Sequence, residues 1–538
     1  MSHTTETTSP STSPPGGPTN ARDRSADAAR SAGKRPGAGD EQLSQGRILI
    51  GRILGPVLAV GVYLLMGLDG AAAEEMRLTA AVVALVATWW MTEAIPLAAT
   101  SLIPIVALPL LGILETAEAT SPYASPTVFL FMGGFMIAIA MQKWNLHKRI
   151  ALVALLGFGT KPNQVILGVM VVTAFLSMWV SNTATTLMML PIALSLLDLV
   201  NEDEKVDPRE SKRFSIALVL CVAYSATIGG LSTLIGSPPN LILAGFVEET
   251  YGFTISFADW MKLGVPLAAV FLAVAWFVMT RFVFPSNLGS VAGGRSIIRR
   301  ELNALGKMSQ AEWCVLVVFV SAAFLWVFRE PLVGIQAVSE SIPMLANLSD
   351  AQIAIAAGLI LFLLPAAKRK PGGKIQGVLD WSSVQKGIPW GVLLLFGGGL
   401  SIAVAVSETG LSEYLGEKMD GLAVLPAFLL IAAVCLIILL LTEMTSNTAT
   451  AATFLPVLGG VAIAIGIDPL LILIPGAMAA TCSFMLPVGT PPNAIVFGSG
   501  YITMGNMLRG GIWLNLIGVV LITVAVYALG GWALGIQI

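Results

Sequence analysis

Charge is what this 538-residue chain has little of. Asp, Glu, Lys and Arg together make up 12% of it, and the formal net charge is −2. A soluble domain carries about 25% charged residues, so a water-facing globule is excluded. The near-zero balance gives no reason to expect nucleic acid as a partner. Histidine is almost missing: His3 lies in the N-terminal tail and His147 in a basic loop, so no His cluster exists for metal or proton chemistry. The four cysteines, Cys221, Cys314, Cys435 and Cys482, fall in or at the start of apolar segments without metal spacing. They read as small buried residues. No nucleophile–base pair stands out either, and the chain is not read as an enzyme.

What it has in abundance is apolar sequence, 56% of all residues, with a mean hydropathy of +0.82. Many apolar runs exceed the ~20 residues that a membrane span needs. The fold class expected is therefore an all-α polytopic membrane protein. Residues 1–45 are rich in Ser, Thr, Pro, Gly and charge. That composition cannot bury a core and reads as a disordered tail, and it has no apolar stretch of the signal-peptide kind. Apolar segments then follow to the C-terminus, interrupted at 143–158 by a basic, amphipathic stretch expected to lie along the membrane surface.

Two of the apolar runs carry the same polar island. Ser181-Asn182-Thr183-Ala184-Thr185-Thr186 lies in the run 163–198, and Ser446-Asn447-Thr448-Ala449-Thr450-Ala451 in the run 422–466. One constant offset of 265 residues aligns the islands, Pro191 with Pro456, and Gly133 with Gly398. The chain reads as an internal duplication. A second pair of motifs follows the islands: Gly236-Ser237-Pro238-Pro239-Asn240 and Gly489-Thr490-Pro491-Pro492-Asn493. Adjacent prolines break a helix, so each of these runs is expected to be two half-helices joined by an unwound loop.

Basic residues collect in the tail, at 143–149, at 295–307 and at 368–374. The positive-inside rule puts these in the cytoplasm. Threading the chain that way requires each island run to enter and leave on one side, as a re-entrant hairpin with its tip inside the membrane; the second arm of the first run looks short for a crossing. The expectation is eleven transmembrane helices plus two re-entrant hairpins, with the N-terminus cytoplasmic and the C-terminus outside. Five crossings separate Gly133 from Gly398, so the halves form an inverted repeat.

Four broken elements then meet near the midplane. Half-helix N-termini suit an anionic oxygen, while unwound carbonyls suit a bare cation such as sodium. Asn182 and Asn447 can face either charge, and Ser177 and Thr442 are matched hydroxyls one turn earlier. Away from the ends of the hairpin and broken-helix runs, the only charged side chain is Glu443, whose counterpart is Met178. Glu443 either stabilises the second hairpin through backbone N–H groups or titrates. With no Arg or Lys there, an anion would be held by dipoles, neutral donors and co-bound cations.

At these residues the chain resembles the divalent anion/sodium symporter family, the sodium–dicarboxylate, citrate and sulfate carriers. The resemblance rests on the paired Ser-Asn-Thr islands, the paired Gly-Ser/Thr-Pro-Pro-Asn loops, and Met132 to Phe135 through Trp144 to His147. It covers roughly residues 50–538. It implies substrate contacts from Asn182, Thr183, Asn447, Thr448, Thr490 and Pro491. It implies one sodium near Ser177, Ser181, Asn182 and the Gly236 carbonyl, and another near Thr442, Thr445, Asn447 and the Gly489 carbonyl. It also implies a homodimer in the lipid of the cell membrane, working as an elevator. Scaffold helices would lie at 46–162 and 286–421, and the moving transport domain at 163–285 and 422–538. The cargo implied is a C4-dicarboxylate, co-transported with sodium ions. Sulfate, citrate or sodium-independent exchange is the alternative within the family, and a cation/proton antiporter a more distant one.

Overall fold

A membrane interior offers no water to free peptide groups, so a chain this apolar must satisfy its backbone internally. In the computed structural model it does so with helices. The structure describes residues 38–67, 70–202, 206–289, 293–367, 376–412, 414 and 426–537. Among the described residues the only pairing of extended chain is an isolated bridge between Pro365 and Gly377. The tail expected over 1–45 lies outside the described residues except for the start of the first helix, as does the basic loop 368–374. The chain divides at Leu43, and the architecture below is that of the unit Ser44–Ile538.

The longer helices are α1 (Ala38–Leu65), α2 (Ala71–Thr92), α3 (Pro126–Lys143), α4 (Leu146–Leu155), α5 (Pro162–Ser177) and α6 (Asn182–Glu202). Then come α7 (Pro208–Gly230), α8 (Pro238–Tyr251), α9 (Phe257–Val278), α10 (Gly294–Ala304), α11 (Gln310–Val333) and α12 (Asp350–Leu363). The last group is α13 (Trp390–Glu408), α14 (Ala427–Thr442), α15 (Asn447–Ala464), α16 (Leu470–Thr481), α17 (Pro491–Gly498) and α18 (Met504–Leu534).

Nine of the described helices are long and apolar enough to cross a membrane. Seven of the nine coincide with expected spans and two, α6 and α15, are second arms of the island runs, so four expected spans fall outside the nine; two of these have plain local causes. The run 97–114 is split into Leu97–Thr100 and Ile103–Leu110, with Pro104 in the first turn of the latter and Pro109 inside it. The run 351–367 gives a helix of 14 residues, α12. The second arm of the first island run is longer than expected. It is α6, with 21 residues, or about 31 Å at 1.5 Å per residue, because the helix starts inside the island itself.

Gly133 and Gly398, the glycines aligned by the repeat, are both close-approach positions, but against different neighbours. A Cβ on Gly133 would lie 2.5 Å from the Ala354 backbone, so α3 and α12 pack backbone to backbone. A Cβ on Gly398 would lie 2.7 Å from the Ser101 carbonyl, which accepts from the Tyr123 hydroxyl. The amphipathic stretch after Lys143 forms α4. Its Lys148 and Arg149 pair with Glu301 (3.1 Å) and Glu312 (2.7 Å). His147 is buried rather than exposed in a loop, with Nδ1 3.0 Å from the Met141 carbonyl. That burial pushes its imidazole pKa down.

Candidate functional site

Each island is the first turn of a helix. α5 ends at Ser177 and α6 begins at Asn182, with Ser181 just outside it, its Oγ accepting from Ala184 N at 3.3 Å. α14 ends at Thr442 and α15 begins at Asn447, with Ser446 in extended backbone. The tips therefore present helix N-termini, where N–H groups are unpaired and the dipole is positive.

The Pro-Pro motifs are helix starts too. α7 ends at Gly230, a short turn occupies Leu234–Gly236, and α8 begins at Pro238. α16 ends at Thr481 and α17 begins at Pro491. Proline at the first helical positions lacks an N–H that would have no helical partner there. So the paired prolines break one helix and begin the next.

The asparagine that closes each motif faces back into its own loop. Asn240 Nδ2 donates to the carbonyls of Gly230 (2.9 Å) and Thr233 (2.8 Å). Asn493 Nδ2 donates to those of Ser483 (3.1 Å) and Leu486 (3.0 Å). One offset of 253 residues relates all three members of the two sets. Both side chains are buried. Sequence reasoning placed Asn240 and Asn493 in the motif but missed this clamp; the equal spacing to residues seven and ten positions earlier was the available signal.

The island asparagines are held from behind. Ser177 Oγ lies 2.6 Å from Asn182 Oδ1, and Thr442 Oγ1 lies 2.8 Å from Asn447 Oδ1. Thr442 Oγ1 is also 2.8 Å from Ala480 O, and Asn447 Nδ2 donates to Thr481 O at 3.1 Å. Thr445 Oγ1 pairs with Thr450 Oγ1 at 2.7 Å. At Asn182 the same amide position faces Ser177 Oγ (2.6 Å), Ala226 O (3.1 Å) and Gly236 O (3.3 Å). With its nitrogen inward, the amide donates to both carbonyls. With its oxygen inward, four oxygens converge, an arrangement that a hard cation satisfies.

Both tips and both loops open onto one cavity of about 710 Å³. Ser181, Asn182, Thr183, Gly236, Thr445, Asn447, Thr448, Gly489, Thr490 and Pro491 line it. Ser177 and Thr442 do not reach it; they are fully buried behind the asparagines. Ser237 also lines it, its hydroxyl 3.0 Å from Thr481 Oγ1 across the two halves. Seven lining residues come from outside the hairpins and broken helices, among them Phe131, Phe135, Arg47 and Glu93. Arg47 Nη2 is 3.7 Å from Glu93 and 2.7 Å from the Met91 carbonyl. The hairpins and broken helices bring no Arg or Lys to the cavity, yet α1 does. Nothing in the local sequence around Arg47 marks it.

Glu443 is 1% exposed and turns away from the cavity. Its carboxylate accepts from Phe484 N (2.7 Å), Met485 N (3.0 Å), Leu486 N (3.0 Å), Ser483 Oγ (3.0 Å) and Asn515 Nδ2 (2.8 Å). Backbone N–H groups do bond the carboxylate, as one of the two readings expected, with one change. The N–H groups belong to the second unwound loop, not to the hairpin that carries the carboxylate.

Residues 49–535 match the family model described as the sodium:sulfate symporter transmembrane region. The chain is 43% identical over 492 residues to a Staphylococcus saprophyticus protein named sodium-dependent dicarboxylate transporter SdcS, with 91% of this chain and 93% of that one covered. The protein of that name from Staphylococcus aureus strain USA300 is 43% identical over 492 residues, covering 91% and 92%. Among solved structures, the YdaH transporter of Alcanivorax borkumensis superposes with a TM-score of 0.56 at 14% identity, covering 86% of this chain and 99% of that one. MtrF of Neisseria gonorrhoeae gives 0.52 at 14% identity, with 88% and 98% covered. At that identity the two structures speak for the fold alone. The paired islands, the paired proline loops and the family model running across nearly the whole chain lead to one assignment: the protein belongs to the sodium:sulfate symporter family, the divalent anion/sodium symporters.

Proposed function

We propose that the protein imports C4-dicarboxylates such as succinate, malate or fumarate, coupled to sodium. One observation carries the reading: four helix N-termini, two from each half, open onto one cavity whose nearest side chains are neutral. A dicarboxylate has an anionic group for each half. One carboxylate is received by Asn182 and Thr183, the other by Asn447, Thr448, Thr490 and Pro491. The names borne by the 43%-identical relatives favour the same cargo.

Sodium supplies the positive charge that the hairpins lack. The first ion takes Ser181, Asn182 Oδ1 and the Gly236 carbonyl, with Ser177 orienting the amide. The second takes Thr445, Asn447 Oδ1 and the Gly489 carbonyl, with Thr442 in the same supporting position. Once an ion is bound, each asparagine has its oxygen committed inward and an amide hydrogen left for a carboxylate, the other at Asn447 being held by the Thr481 carbonyl. That order makes anion binding depend on sodium. The wider frame is two inverted halves, eleven spans plus two re-entrant hairpins, and a homodimer in the cell membrane. The N-terminus is cytoplasmic and the C-terminus outside, and 163–285 and 422–538 move as one body against the remaining helices.

Radiolabelled succinate uptake into proteoliposomes tests this, with an inward sodium gradient and then with choline in place of sodium. Concentrative uptake in sodium alone is expected. Uptake without sodium, driven by internal dicarboxylate, would mark an exchanger. The family description favours one second reading, sulfate as cargo; labelled sulfate accumulating where succinate does not would establish it.

A further inference from the structure

We infer that Glu443 is a positioning residue that gives the second sodium half-site a fixed charge and a fixed shape. The first half-site has no such charge behind it, so the two sodium sites are unequal and fill in order, second before first. The inference rests on the sodium-coupled reading above and concerns how its two sites differ.

Glu443 sits in the chain between Thr442 and Thr445, both at the second half-site. All five groups bonded to its carboxylate are donors, three of them consecutive backbone N–H groups. That is the pattern of an ionised carboxylate held in a nest of amides. No Lys, Arg or His is among the partners. A buried charge balanced only by dipoles retains a field, and in a low-dielectric interior that field favours a cation arriving nearby.

Shape follows from the same bonds. The loop Ser483–Leu486 leads directly to Gly489. A Cβ on Gly489 would come within 1.9 Å of Ser483 Oγ, so the two are packed together. Phe484 is fixed further by edge contacts with Tyr224 (5.4 Å) and Phe271 (5.7 Å). The Gly489 carbonyl is thus placed before any ion arrives. In the first half, Met178 stands where Glu443 stands in the second. Its loop is tied by neutral bonds alone, Thr233 Oγ1 to the Met178 carbonyl (2.5 Å) and Trp260 Nε1 to the Leu231 carbonyl (3.0 Å). There the Asn182 amide is satisfied with its nitrogen on the Ala226 and Gly236 carbonyls, so it must turn before its oxygen can meet an ion.

The test uses the full-length protein in detergent and in proteoliposomes. Sodium alone, without succinate, should raise the thermal midpoint of the wild type. Ser177→Ala should keep that rise, and Thr442→Ala should lose it. Glu443→Gln should raise the sodium concentration for half-maximal uptake about tenfold, while the succinate KM at saturating sodium moves less than about threefold. Ser483→Ala, which drops one donor but keeps the charge, should shift the sodium dependence less than about threefold, and Glu443→Asp should recover most of the loss. Equal loss of sodium stabilisation in Ser177→Ala and Thr442→Ala would overturn the inference. So would Ser483→Ala and Glu443→Gln shifting sodium dependence alike, since that is what scaffolding without charge predicts. If Glu443→Gln does not fold, the Ser177/Thr442 pair decides. A wild type stabilised by sodium that takes up no succinate would instead sink the cargo assignment and leave the inequality of the sites standing.

Discussion

At Thr233 the first unwound loop is tied to its hairpin by a hydroxyl resting on the Met178 carbonyl. At the equivalent place in the second half, Leu486 offers its backbone N–H to the Glu443 carboxylate. In both halves the loop donates and the hairpin accepts, but a neutral tie has become a charged one. Around these points the two halves agree closely. Asn182 and Asn447 are each backed by a hydroxyl five residues earlier, and Asn240 and Asn493 each clamp the same two carbonyls of their loops. The surfaces facing the cavity are near copies, and the divergence lies one layer behind. A duplicated site can thus present two matching faces to a symmetrical cargo while its two supports differ in rigidity and charge.

The largest effect tests the matching faces. Asn182→Ala and Asn447→Ala should each abolish sodium-driven succinate uptake, a loss of about 100-fold or more, in protein that remains monodisperse on size-exclusion chromatography. Normal transport by either variant would break the symmetry at the cavity. Next come the glycines. Gly236→Ala places its Cβ 2.7 Å from the Gly230 carbonyl, which is backbone and cannot step aside. Gly489→Ala meets the Ser483 hydroxyl, which can rotate away at the expense of its bond to Glu443. Uptake assays should show the larger loss for Gly236→Ala; the reverse order would mean that the second loop is the less adaptable one for a reason other than sterics.

The clamps should give equal, smaller effects. Asn240→Ala and Asn493→Ala each strand two buried carbonyls, at about 1 kcal/mol per lost bond, so both should lower the thermal midpoint by several degrees and by similar amounts. A marked difference would show that Glu443 already holds the second loop without Asn493. The smallest effect is a control outside both repeats. Lys143 Nζ lies 2.5 Å from Asp380, and that hydrogen bond, with donors from Ser383, holds the Asp380 carboxyl below the usual carboxylate range. A depressed carboxylate contributes stability above its unfolded value of about 3.9, and the contribution is lost as pH falls through the folded value. Asp380→Asn should therefore lower the melting midpoint slightly at pH 7, by about 2 °C or less for so exposed a pair. The gap from wild type should close in strong acid, and transport should be unchanged.

Much of this site was legible in the sequence because its parts are local. An island repeated at a fixed offset, and two prolines in an over-long apolar run, each leave their signature within a few residues. Parts built across distance left none. The donors to Glu443 come from 40 to 72 residues further along the chain. Arg47 reaches the cavity from the first helix, and His147 is buried by packing that its basic neighbours conceal. The start of α6 inside the island was also missed. Its Asn-Thr-Ala-Thr-Thr stretch looks like a loop by composition, yet it forms a helical first turn behind an outlying serine.

Pro238 and Pro239, and Pro491 and Pro492, put four peptide nitrogens without hydrogen at the mouths of two helices facing the cavity. A carrier must strip water from its site each time cargo enters, and rehydrate it each time cargo leaves. Water holds strongly to a peptide N–H and weakly to a pyrrolidine ring. These walls can project the field of a helix end while keeping little ordered water to displace. Dehydration is then a smaller obstacle to turnover than four unpaired amides would have made it.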